Sequence, residues 1–230
     1  MTTFSRYRRL RGELDEACRA AGRAPEEVKL LAVSKTVDLD AVEEAIRAGA
    51  HAFGENRPDE LMRKQAAFPD EEWHFIGNIQ SRRIPDIVSC ATLIHSVSKE
   101  AHLVKIDDAA GRFGKVQPVL LEVNVSGEES KSGFSADGLL PLIERCASLK
   151  NVSLRGLMTM APRGDEEAIV SSFTALRDLR DDLAVALAER GLSVDLSDIS
   201  MGMTEDWPWA VGLGTTIVRI GRAVFDDSFE

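Results

Sequence analysis

The chain has 230 residues, 44% of them hydrophobic and 29% charged, a balance that fits one well-buried globular domain (1–230) and excludes a disordered or membrane-embedded chain. Its formal net charge of -10 gives no overall field to attract nucleic acid or anionic lipid, so an anionic ligand has to be held by local charges. Cys18, Cys90 and Cys146 lie far apart, odd in number and without a C-x-x-C pair, which excludes a disulfide framework or zinc site and points to a reducing, cytoplasmic location.

The first predicted element is an amphipathic helix in which Phe4, Tyr7, Leu10, Leu14, Ala17 and Ala21 recur at helical spacing, with arginines on its solvated face. It lacks the apolar run and cleavage site of a signal peptide, and no stretch reaches transmembrane length. This helix is expected to cover the lower end of the domain. Short apolar or β-branched runs then alternate with longer amphipathic segments, the rhythm of repeated β-α units. Strands are predicted at 29–34 (KLLAVS), 52–54, 73–76, 92–97, 117–125, 154–160, 195–200 and 216–220. Between them, Asp38 and Gly49 bracket one helix, Pro58 suits the first turn of the next, and Ser135 heads a third whose start is placed near Gly138 and Pro141. Ile169, Phe173, Leu176, Leu179, Leu183 and Leu187 mark a long helix. Eight strand signals without a glycine-rich dinucleotide turn predict closure into a (β/α)8 TIM barrel.

Functional groups of such barrels lie at the C-terminal ends of the strands. Lys35 directly follows LLAVS. Taken alone it reads as a loop lysine, but at the end of a buried strand it is expected to be partly desolvated, which favours the free amine that imine formation needs. The loops after the last two strands, 200–204 (SMGMT) and 219–222 (RIGR), combine glycines and hydroxyls and fit a phosphate site, though two ordinary turns would look alike. Together with Lys35 they fit one ligand carrying both an aldehyde and a phosphate. Arg219 can only donate, so it either faces a ring nitrogen of that ligand and keeps it unprotonated, or pairs with the phosphate. Asn56 either bonds a ring hydroxyl or caps the helix that Pro58 begins. The four histidines lack metal-ligand spacing, and His74 and His95 read as strand histidines satisfied by hydrogen bonds. Trp207 and Trp209 form a lid or pack a short helix on the rim, the second being favoured.

The segments LLAVSKT (30–36), FGEN (53–56), WHFIGNIQ (73–80), NVSGEESKSGF (124–134), LRGLMTM (154–160), SMGMTEDW (200–207) and VRIGRAVF (218–225) occur in order along nearly the whole chain. In these the chain resembles the pyridoxal-phosphate homeostasis proteins, the proline synthase co-transcribed group. The resemblance implies a barrel like the N-terminal domain of alanine racemase, with Lys35 as the Schiff-base lysine for pyridoxal 5'-phosphate. It implies that Ser200, Gly221 and Arg222 hold the phosphate, the last two through backbone amides, that Arg219 approaches the pyridine nitrogen, that Met160 packs on the ring face and that Asn56 lies at the ring edge. Lys131 is a second lysine that could relay the aldehyde, with an exposed loop lysine as the ordinary reading. Arg57-Pro58, Arg222 and the terminal acidic residues depart from the family pattern.

The function expected is retention and delivery of this cofactor without turnover, with apo enzymes that use it as recipients and a monomeric state. The alternative is a racemase-like enzyme. That chemistry needs a second acid-base group opposite Lys35, and the one tyrosine, Tyr7, falls in the predicted N-terminal helix.

Overall fold

The structure, a computed structural model, describes residues 1–125 and 132–229; Lys131 lies outside them. Among the described residues eight parallel strands close in sequence order into a barrel. They are β1 (Lys29–Val33), β2 (Ala52–Glu55), β3 (Glu72–Phe75), β4 (Leu93–Val97), β5 (Gln117–Glu122), β6 (Val152–Met158), β7 (Asp198–Ser200) and β8 (Ile217–Ile220). Closure is made where β8 pairs with β1, Leu30 opposite Val218 and Ala32 opposite Ile220. Strands such as β4 and β8 are buried along their whole length, because helices cover one face and the barrel interior the other.

The helices are α1 (Thr3–Ala20), α2 (Leu39–Arg47), α3 (Pro58–Ala67), α4 (Ile84–Cys90), α5 (Glu100–Arg112), α6 (Ala136–Cys146), α7 (Glu166–Glu189), α8 (Trp207–Gly212) and α9 (Arg222–Phe225). From α2 to α8 each follows one strand. After β8 comes the four-residue α9, and α1 takes the side position there by packing on α2, α8 and α9. Arg6 fastens it there, its Nε donating to Val224 O at 2.9 Å and its guanidinium pairing with Asp227. This corrects the expectation that α1 covers the lower end: its apolar stripe of Tyr7, Leu10, Leu14 and Cys18 finds the uncovered flank of the barrel instead. In α6 the helix starts at Ala136, so Pro141 falls inside it and not at its first turn.

The core has two compartments. One fills the space between strands and helices; the other is an interior layer of Leu31, Ala52, Leu93, Leu120, Met158 and Ile217. Side chains alternate along a strand, so the parity of this interior layer decides what else can point inward. Val33 and Lys35 share it with Leu31, Asn56 with Ala52, His95 with Leu93, Met160 with Met158, and Arg219 and Gly221 with Ile217.

A bulge sets this parity in β6. Leu154 and Leu157 both pack on the helix side, which strict alternation forbids for residues three apart. The register against β5 jumps from Val119–Leu154 to Leu120–Gly156, leaving Arg155 as the extra residue, and Met158 then faces the interior. Gly156 makes the bulge possible: its φ is +153° and a Cβ there would lie 1.8 Å from Asp198 O.

Candidate functional site

At the C-terminal end of the barrel a cavity of about 270 Å3 is lined by Lys35, Asn56, Met160, Arg219, Gly221 and Arg222, together with the rim residue Thr204. Six of the seven residues singled out in the sequence thus meet at one opening. A larger cavity of about 570 Å3 lies at the opposite end, between α5, α6 and the segment before β7, but its lining of residues such as Leu103, Ile143 and Leu192 offers little chemistry.

Lys35 follows β1 in a turn at the rim. The side chain is exposed there, which corrects the expectation of partial desolvation: the burial of β1 ends at Ser34, one residue earlier. Beneath it the backbone is held firmly. Lys64 of α3 donates to Ser34 O at 2.7 Å and to Glu55 Oε1 at 2.6 Å, while Ser34 Oγ donates to the same carboxylate oxygen at 2.7 Å. Neither Lys64 nor Glu55 reaches solvent, so this charged knot lies behind the turn that presents Lys35.

Asn56 continues β2 into the cavity wall. Its Oδ1 is buried and has no hydrogen-bond partner among the described residues. The rival structural role is not taken up, because α3 begins after Arg57 and has no side-chain cap. Gly77, after β3, lies so close that a Cβ on it would be 2.1 Å from Asn56 O.

Arg219 is the buried charge of the cavity floor, 5% exposed. Its Nη1 donates to Ser200 O at 2.8 Å and Ser200 Oγ at 2.6 Å, and its Nη2 to Thr159 O at 2.9 Å. A guanidinium has five N–H groups, so Nε–H and one Nη2–H find no acceptor among the described residues. Burial pushes its pKa down to about 10, against the pull of Asp206 and Glu122, and leaves it charged at neutral pH. Ser200 is placed differently from the other six. It is fully buried, it does not line the cavity, and its hydroxyl is engaged by Arg219 and by His95 Nδ1 at 2.9 Å.

The rim after β7 is shaped by Gly202, whose φ is +93° and where a Cβ would lie 2.8 Å from Ala210 Cβ, and by the buried Asp206, whose carboxylate accepts from Met203 N. The Arg222 side chain turns outward, donating to Glu205 Oε1 at 2.6 Å and lying over the Phe229 ring. Trp207 is buried in the core and Trp209 donates to Glu166 Oε1 at 3.0 Å, so this pair packs α8 onto the barrel and α7. Sequence reasoning had Thr204 within the 200–204 loop but did not single out Lys64. Lys64 had a signal, since it lies three residues after Leu61 and four before Phe68, on the apolar face of α3.

A phosphorylated pyridine aldehyde fits this set of groups. An amine stands at the rim, an unpartnered amide oxygen at one wall, a thioether at another, and an arginine with unused donors on the floor.

The family model described as "Alanine racemase, N-terminal domain" matches residues 10–228. A pyridoxal phosphate homeostasis protein of Aquifex aeolicus is 38% identical over 230 residues, covering 99% of both chains. One of Pseudomonas aeruginosa is 42% identical, covering 91% of this chain and 89% of that protein. Among solved structures, PipY of Synechococcus elongatus PCC7942 with PLP bound superposes with a TM-score of 0.81 at 32% identity, covering 92% of this chain and 99% of that one.

Proposed function

The chain belongs to the pyridoxal phosphate homeostasis protein family, and from that premise we propose that it holds pyridoxal 5'-phosphate on Lys35 and buffers or delivers it. The observation that carries this reading is the convergence of Lys35, Asn56 and Arg219 on one cavity. When bound, the cofactor supplies an aldehyde carbon that condenses reversibly with an amine, releasing one water. Lys35 is the amine, and its exposure leaves the resulting Schiff base open to exchange with an incoming amine.

The other residues bind and orient. Asn56 Oδ1 would accept a hydrogen bond from the ring hydroxyl, Met160 would cover one ring face, and Arg219 would offer its unused N–H groups to the ring nitrogen. Gly221 and Arg222 offer backbone amides to the phosphate and Thr204 its hydroxyl. Ser200 reaches the ligand only through Arg219. Because a guanidinium cannot give its proton to the ring nitrogen, the ring stays a weak electron sink, which fits racemase-like or non-catalytic use.

The racemase-like alternative draws on the alanine racemase domain match and needs a second acid-base group. Tyr7 lies in α1, and the cavity carboxylates Glu205 and Asp206 are engaged by Arg222 and by Met203 N. We therefore place the protein outside enzymatic turnover, as a monomer in the cytoplasm that hands its cofactor to apo enzymes. No helix among the described residues is long and apolar enough to cross a membrane.

The test is addition of pyridoxal 5'-phosphate followed by borohydride and peptide mapping. One adduct on Lys35, lost in Lys35→Ala, supports the reading. Labelling spread over surface lysines, or enzyme-like racemisation of an amino acid, overturns it.

A further inference from the structure

A polar column crosses the barrel interior beneath Arg219. His95 Nδ1 lies 2.9 Å from Ser200 Oγ, and His95 Nε2 lies 2.9 Å from His74 Nδ1. His74 Nε2 faces Glu72 Oε2 at 3.4 Å, and Glu72 pairs with Lys29 at the N-terminal mouth. Ser200, His95 and His74 are buried, while Glu72 is partly exposed. The column thus joins a cation at one end of the barrel to an anion at the other.

We propose that His95 and His74 are positioning residues for Arg219, forming a one-way chain of donors from Arg219 through Ser200, His95 and His74 to Glu72, each imidazole neutral and protonated on Nε2. The purpose of holding Arg219 rests on the pyridoxal phosphate reading; the chain itself does not.

Donor chemistry fixes the direction. Arg219 can only donate, so Ser200 Oγ accepts from it and sends its own proton to His95 Nδ1. A neutral imidazole that accepts on Nδ1 carries its proton on Nε2, and His95 therefore donates to His74 Nδ1. By the same rule His74 donates from Nε2 to the Glu72 carboxylate. The reverse order would set a lone pair of His74 against the Glu72 carboxylate and leave the Ser200 hydroxyl proton without an acceptor. A second proton on His74, on Nδ1, would put two hydrogens into its contact with His95 Nε2, and a second proton on His95, on Nδ1, would meet the hydroxyl proton of Ser200. The charged groups that face the pair are Lys29 from β1, Glu72 from β3, Asp198 from β7 and Arg219 from β8. Burial lowers the pKa of His74 and takes that of His95 well below the usual histidine value.

The consequence concerns Arg219. With the Ser200 hydroxyl oriented by His95, it accepts from the guanidinium and fixes its plane. The remaining N–H groups then stay directed at the cavity before any ligand arrives.

Nitrogen-15 NMR of histidine-labelled protein without ligand, between about pH 5 and 8.5, tests the chain directly. Both rings are expected as Nε2–H tautomers that do not titrate near the usual histidine pKa. A Nδ1–H tautomer, or titration near about 6.5, overturns the proposal. Two variants extend the test. His95→Asn keeps an oxygen where Nδ1 accepts, and His95→Leu removes it. Solvent exchange of the Arg219 Nε–H should quicken about tenfold in His95→Leu and stay within about twofold in His95→Asn. Equal rates in wild type and His95→Leu overturn the positioning role. Correct tautomers without a Lys35 adduct would sink the cofactor reading and leave the chain standing.

Discussion

Lys64 Nζ lies 2.6 Å from Glu55 Oε1, and neither side chain reaches solvent. Glu55 Oε2 has no hydrogen-bond partner among the described residues, so Lys64 and Ser34 supply its compensation. Removing one member of a buried pair leaves an uncompensated charge, at about 3–5 kcal/mol, whereas replacing both is far milder. Lys64→Met should therefore lower the urea-unfolding free energy by about that amount, and Lys64→Met with Glu55→Gln should recover more than half of it. The single variant should also slow adduct formation at Lys35, because Lys64 holds the Ser34 carbonyl next to it. A double variant as unstable as the single one would show that the pair is not a closed unit.

Gly77 and Asn56 make the second prediction. A Cβ at position 77 would lie 2.1 Å from Asn56 O and 2.6 Å from its Cα, and these are backbone atoms that cannot swing aside. Gly77→Ala should cost about 1–3 kcal/mol in unfolding free energy and displace Asn56. Ligand retention should fall with it, measured as the borohydride-trapped fraction at fixed cofactor. Unchanged retention would detach Asn56 from the site.

The lone acceptor of Asn56 gives a sharper contrast between stability and binding. Its Oδ1 is buried without a partner among the described residues, an arrangement that costs about 1–3 kcal/mol. Asn56→Ala relieves that cost and loses some packing, so its melting temperature should stay near wild type or rise. Affinity for pyridoxal 5'-phosphate should weaken about tenfold. A variant that loses stability and keeps affinity would mean that Asn56 serves the fold alone.

The strands were legible in the sequence because parallel strands buried on both faces must be short apolar runs, and 29–34, 52–54 and 92–97 read that way. Lys35, Asn56, Arg219, Gly221 and Arg222 were legible for a related reason, since a barrel gathers strand ends that are distant in sequence, whereas Met160 came only from the family resemblance. The position of α1 was not, because an apolar stripe tells that a face is buried and not against which neighbour. The burial of Lys64 was not legible, because it depends on a carboxylate nine residues away on β2. Ser200 was read with its loop, yet its hydroxyl is taken by His95, a partner 105 residues away that no local pattern reveals.

The paired histidines also set the pH dependence of stability. Burial depresses the pKa of both His74 and His95 in the folded state, while the unfolded chain titrates near about 6.5. Above that pH both states are neutral and the pair contributes nothing. Below it the unfolded chain binds protons that the folded chain refuses, so stability falls with decreasing pH by about 1.4 kcal/mol per pH unit for each histidine. Glu122 works in the opposite sense, since burial raises its pKa and protonation favours the folded form. Glu72, held down to about 2 chiefly by its hydrogen bond from His74, keeps its contribution until lower pH still. Urea unfolding at pH 8, 6.5 and 5.5 should therefore show a plateau between the first two and a clear loss at the third. His102, whose pKa burial also lowers, adds to the loss, so His95→Asn should remove only its own part of that slope, at most about 1.4 kcal/mol per pH unit. A flat profile from pH 8 to 5.5 would mean that the rings take up protons inside the barrel, contrary to the burial and hydrogen bonding of both.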